Sequence, residues 1–167
     1  MAEQLEQDQS HRRSVLRALL WLTLLFGFTF AGLNIYRGLY LLAAIEVAYA
    51  LFSFSLLPII PKTKHLDAWT IAFLVPFFCI MVFALVLPNT SFTVFAWIQT
   101  IPIISYLLLG QRGGLWMSCI FISAAIVAFN VRYITGENAM NALIVTNLAF
   151  SSLAVMLFSH IYERSRT

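Results

Sequence analysis

The sequence predicts an all-α fold, a six-helix transmembrane bundle with both termini in the cytoplasm, and three observations predict it. Six stretches of nearly pure hydrocarbon side chains fill the chain from about Val15 to Ile161, and the polar breaks between them are short. Of the 167 residues 61% are hydrophobic and 10% charged, and the mean hydropathy is +0.88, outside the range of soluble domains. Each stretch also has the length a membrane asks for, about 20 residues at 1.5 Å per residue for a hydrocarbon core of about 30 Å. Lipid offers the backbone no hydrogen-bond partners, so helices joined by tight turns are the economical solution.

Residues 1–14 form a polar N-terminal segment whose acidic, Gln-rich head, Met1 to Ser10, is expected to be disordered or to extend the first helix. The first span, Val15 to Tyr36, is too long for a signal peptide and lacks a small-residue cleavage site. The second, Leu39 to Ile60, ends at Pro58, Pro61 and Lys62. The third, Ala68 to Leu87, and the fourth, Ser91 to Leu109, contain Pro76 and Pro102. Each proline removes a donor and clashes with the carbonyl four residues back, Ala72 and Ile98, so kinks are expected there. Pro88 and Asn89 mark the turn between these two spans; the sequon Asn89-Thr90-Ser91 hugs the membrane there and is discounted as a glycosylation site. Gly110, Gly113 and Gly114 turn the chain into the fifth span, Leu115 to Tyr133, and Gly136, Glu137 and Asn138 into the sixth, Ala139 to Tyr162. Residues 15–162 thus make one sensor-sized bundle. Residues 163–167 begin a connector, because nothing stops the sixth helix from running on through Glu163, Arg164 and Arg166.

Eight of the ten Lys and Arg fall on one side of this layout: Arg12, Arg13, Arg17, Lys62, Lys64, Arg112, Arg164 and Arg166. Only Arg37 and Arg132 fall opposite, so the positive-inside rule places both ends in the cytoplasm. Trp21, Trp69 and Trp116 sit near the cytoplasmic helix ends, where an indole suits the interface. The net charge of +3 therefore reflects topology, not affinity for nucleic acid.

No nucleophile elbow, phosphate-binding glycine loop, HExxH, CxxC or carboxylate pair occurs, so the chain is not expected to be an enzyme or to hold a cofactor or metal. Cys79 and Cys119 lie in apolar spans and read as small buried hydrophobes. His11, His65 and His160 read as solvated or interfacial imidazoles, since haem ligation in a bundle wants them deep on facing helices. The sharpest polar residue is Glu46, about two turns inside the second span, where an ionised carboxylate costs several kcal/mol unless neutralised or paired. It shares a helical face with Tyr49, Ala50 and Ser53 and is expected to face protein. Arg37 and Arg132 are the cations on its side of the membrane; Asn34, Gln99, Asn130, Asn141 and Asn147 are hydrogen-bonding groups at similar depth. Two readings stand side by side. In one, Glu46 pairs with an arginine and locks two helices. In the other, Glu46, Arg37, Arg132, Tyr49, Gln99, Asn130 and Asn147 line a ligand pocket.

A transporter would show inverted halves and more than one membrane carboxylate, and an enzyme a reactive set; the uncapped sixth helix instead looks like a signalling connector. On the stretches HRRSVLRALLW, RGLYLLAAIEVAYALFSF and NALIVTNLAFSSLAVMLFSHIYERSRT, the chain from about Arg12 to Thr167 resembles the MASE domains, integral membrane sensor regions that precede GGDEF diguanylate cyclase domains in bacteria. The resemblance implies a sensor of a small or lipophilic cue, homodimeric through its last helix, that signals through Tyr162, Arg164 and Arg166 to a cytoplasmic domain making cyclic di-GMP. No GGDEF motif occurs in the sequence, so no cyclase residue is carried over. The sensor region of a membrane histidine kinase, or a small membrane transporter, is the alternative.

Overall fold

The computed structural model describes residues 2–87, 97–133 and 140–166, in five helical runs: α1 (Ala2–Tyr36), α2 (Tyr40–Leu56), α3 (Leu66–Val86), α4 (Thr100–Tyr133) and α5 (Met140–Arg166). No strand occurs among the described residues. The predicted turns at Pro88–Asn89 and Gly136–Asn138, and the sequon, lie outside them. Three stretches are long and apolar enough to cross a membrane: Gln9–Tyr36, Leu66–Val86 and Thr100–Val131. The chain divides into two compact units, Met1–Phe77 and Phe78–Thr167, with the division inside α3 next to Pro76.

In the first unit the polar head extends the first helix. That helix ends where Gly38, at φ 76°, takes the left-handed conformation that glycine adopts without a Cβ clash. The Gly38 N–H then donates to the Ile35 carbonyl and the Leu39 N–H to that of Asn34, a Schellman closure that satisfies the last carbonyls of α1. Helix α2 stops at Leu56, short of the expected Ile60. Pro58 and Pro61 offer no N–H and would collide with the carbonyls four residues back, so 57–62 proceeds by turns, with the Leu57 N–H on the Phe54 carbonyl and the Lys62 N–H on that of Ile59. The helices pack closely because α1 carries small residues toward α2: a Cβ on Gly27 would lie 3.1 Å from that of Ala50. Leu16, Leu20, Ala31, Leu42, Ala43, Leu56, Phe73 and Leu74 are buried, whereas Trp21, Leu25, Phe28 and Phe54 point outward. Large apolar side chains on the outer surface are what a lipid solvent allows and water does not.

Helix α3 runs through Pro76 without a break in its helical assignment. The Tyr49 hydroxyl donates at 2.7 Å to the carbonyl of Phe73, beside that of Ala72, which the proline deprives of its donor. Tyr49 also stacks on Phe73 and Phe77 at 5.7 and 6.0 Å. At Pro102 the chain does interrupt its helix. The chain makes a turn at Gln99, just after Ile98, and α4 starts afresh at Thr100, so Pro102 falls in a first turn that needs no N–H.

In the second unit, α4 is broken at Gly110, whose φ of 69° and ψ of −170° are not helical. The chain doubles back there. Tyr106 and Gln111 both reach His160, Gln99 reaches Ser151 and Ser152, and Cys119 reaches Met156, so 97–109 runs parallel to α5 and 111–133 antiparallel to it. The arm 111–133 alone reaches about 34 Å, enough for the hydrocarbon core. Gly114 makes the close return feasible, since a Cβ there would lie 2.6 Å from the Tyr106 Cα and 2.9 Å from its ring. We expect Gly114→Ala to lower stability by about 1–3 kcal/mol, read as a fall in midpoint on heating in detergent, because backbone must move to admit the methyl. Gly32→Ala, where nothing lies within 4 Å, should leave the midpoint unchanged; equal behaviour of the two would contradict the packing at the reversal.

Candidate functional site

Glu46 sits half-buried on α2 and faces α1, as its helical face predicts. Its partner is Asn34, whose side-chain amide donates to both carboxylate oxygens at 3.0 and 2.9 Å. Asn34 is itself buried, near the end of α1, so the pair forms across the Gly38 turn. The arginine lock expected for Glu46 is not formed by Arg37, which lies exposed in that turn. The physical reason is solvation. A guanidinium in the turn keeps its water, whereas drawing it down to Glu46 would strip two ions instead of one.

Tyr49 is buried and committed to Phe73 and Phe77. Gln99, Asn130 and Asn147 belong to the second unit. There Gln99 donates to Ser151 and Ser152, Asn130 donates back to the Ile126 carbonyl of its own helix at 2.7 Å, and Asn147 is exposed on α5. The side chains of Arg132, Asn141 and Arg166 lie outside the described part. Tyr162 and Arg164 are exposed on the last turns of α5.

A second polar centre escaped the sequence reading. His160, taken for an interfacial imidazole, is half-buried against the Gly110 reversal. Its Nδ1 lies 3.2 Å from the Tyr106 hydroxyl and its Nε2 3.3 Å from the Gln111 amide nitrogen, and the Tyr106 ring stands edge-on to it at 5.6 Å. An amide nitrogen only donates, so Nε2 accepts and Nδ1 carries the proton, which it donates to the Tyr106 oxygen. The signal in the sequence was positional: three polar groups that meet only when the glycine cluster turns the chain.

Within each unit basic residues gather at one end. In the first, Arg12 pairs with Asp67 at 2.7 Å, and Arg13 donates at 2.8 Å to the carbonyls of Pro61 and Thr63, which gathers Arg12, Arg13, Lys62 and Lys64 at one end. In the second, the Gln111–His160 contact brings the Arg112 end of the reversal to the Arg164 end of α5. No group of three or more His, Cys, Asp and Glu able to hold a metal occurs among the described residues.

A family model, MASE6, matches residues 5–167. The chain belongs to the MASE6 family. MASE6 is a membrane sensor family of the MASE type, and the three long apolar helices fit a membrane protein. No curated protein and no solved structure matches the chain.

Two measurements check the polar centres of this MASE6 domain. Asn34→Leu leaves the Glu46 carboxylate without its donor and should destabilise the folded protein in detergent by about 1.5–3 kcal/mol. Adding Glu46→Leu should restore much of the loss, and simple additivity of the two would mean the bond is not made. Nitrogen NMR of His160 should show the Nδ1-protonated tautomer, with the Nε2 resonance moved by Gln111→Leu; a proton on Nε2 would contradict the geometry.

Proposed function

We propose that this chain is the signal-input domain of a bacterial inner-membrane protein: six crossings, both termini cytoplasmic, a small or lipophilic cue bound near Glu46, and an output domain that makes cyclic di-GMP. Family membership supports the sensor role. The gathering of basic residues at one end of each unit supports an even number of crossings, with Arg37 at the opposite end of α1.

The observation that carries the relay is the grip on α5. This helix runs unbroken from Met140 to Arg166, and His160 holds it to both sides of the Gly110 reversal, just before Tyr162, Arg164 and Arg166 leave for the cytoplasm. A cue that prefers one packing of the helices shifts the balance between two arrangements by its differential affinity, and α5 carries the shift outward as a rotation or a piston stroke. Phe150, Leu153, Leu157 and Ile161 leave an exposed apolar stripe along α5, which suits pairing with a second copy. At the sensing end, Glu46 is held by a neutral amide, so its charge is left for a cationic or hydrogen-bonding group of the cue.

The test joins the chain at its C-terminal end to a diguanylate cyclase domain in cells that otherwise lack cyclic di-GMP. Glu46→Ala, Arg132→Ala and His160→Ala should each shift the cyclic di-GMP level by about tenfold, the effect of about 1.4 kcal/mol on a two-state balance, with membrane insertion unchanged. Unaltered output from Glu46→Ala and Arg132→Ala would remove the ligand site, and unaltered output from His160→Ala would remove the relay.

A further inference from the structure

At the end of the first unit where the polar head of α1 leads into its apolar stretch and α3 begins at Leu66, a cleft of about 330 Å³ is lined by Gln9, Arg12, Lys64, His65 and Asp67. Its walls are fixed. Arg13 clamps the 61–63 turn by its carbonyls, the His65 N–H donates to the Thr63 hydroxyl at 3.1 Å, and Arg12 is bound to Asp67. The volume lies at the small end of the range for ligand clefts.

We propose that this cleft binds a phosphate-bearing anion, in the first instance the headgroup of an anionic phospholipid. Three observations converge on it. Among the described residues the cleft is lined by three basic side chains and one carboxylate, and that carboxylate is engaged by Arg12. The Lys64 ammonium and the His65 ring have no partner among the described residues, so two donors remain for an incoming oxygen anion. The Arg12 side chain is only 18% exposed against 71% for Asp67, so the cation is the sheltered member of the pair, just before the apolar stretch of α1. A basic cleft between membrane helices at that level is reached sideways from the leaflet, where a headgroup arrives tethered and concentrated. Asp67 sets the limit on charge: it opposes a ligand on its own side and leaves the Lys64–His65 side as the seat.

This site rests on the membrane reading, and the experiment separates the two. The purified chain is placed in nanodiscs of phosphatidylcholine with and without phosphatidylglycerol, and bound lipid is counted by native mass spectrometry. Lys64→Gln with His65→Gln should lose most of the retained phosphatidylglycerol, a drop of about fivefold or more. Arg112→Gln, which removes a charge that does not line the cleft, should retain it. Loss of the lipid equally from both variants, or from neither, overturns the cleft. Inorganic phosphate, added to phosphatidylcholine discs and read through the His65 ring resonances, identifies the source. A response there that phosphatidylglycerol does not alter assigns the site to a soluble phosphate; a response only to the lipid assigns it to the headgroup. A chain that cannot enter nanodiscs at all would fail the membrane reading instead.

Discussion

A polar group placed in hydrocarbon must find its partner within the protein, and this constraint arranges the first unit. Helix α1 is fastened at two levels. At one, Arg12 meets Asp67 and Arg13 meets two carbonyls of the α2–α3 connection; at the other, Asn34 meets Glu46. Along the helix Arg12 and Asn34 are about 33 Å apart, close to the thickness of the hydrocarbon core. Between the two levels α1 turns Leu16, Leu20, Gly27 and Ala31 inward and Trp21, Leu25 and Phe28 outward. Lipid supplies no hydrophobic drive to bring helices together, so the polar ties and the close approach at Gly27 must do it.

Much of this was legible in the sequence, because lipid leaves few alternatives. Runs of apolar residues gave the helices, and the Lys and Arg pattern gave which ends meet. The inward face of Glu46 followed from the cost of its charge. Its partner did not follow, since charge alone ranks Arg37 above Asn34. What decides is the Gly38 turn, which keeps Arg37 in water and sets an amide within reach. An amide is also cheaper to bury than a second ion. The glycine cluster announced a reversal, yet not the separate tasks within it, with Gly110 supplying the positive φ and Gly114 the room. His160 was misjudged because an imidazole near a helix exit looks the same in sequence whether water or Tyr106 satisfies it.

The prolines show how one residue type has two outcomes. Pro76 lies inside a helix that continues, and the Tyr49 hydroxyl bonds the adjoining Phe73 carbonyl from α2 while its ring joins the Phe73–Phe77 stack. At Pro102 the helix instead restarts beside it, at Thr100. A proline inside a helix is held by packing against a neighbouring helix, whereas one in a first turn removes no helical hydrogen bond.

In the second unit α5 is held to the 97–109 arm at two heights, by Gln99 on Ser151 and Ser152 and by Tyr106 on His160. Hydrogen bonds are directional and short, and neighbouring positions on a helix point about 100° apart. A slip of α5 by one residue would move every one of these groups by 1.5 Å and turn it off its partner, so the two levels must release together. Around them Leu153, Leu157 and Ile161 are exposed, and such an apolar stripe offers little resistance to sliding against lipid. A helix held by matched, directional bonds has discrete resting positions instead of a continuum. That is the property a relay between two states requires.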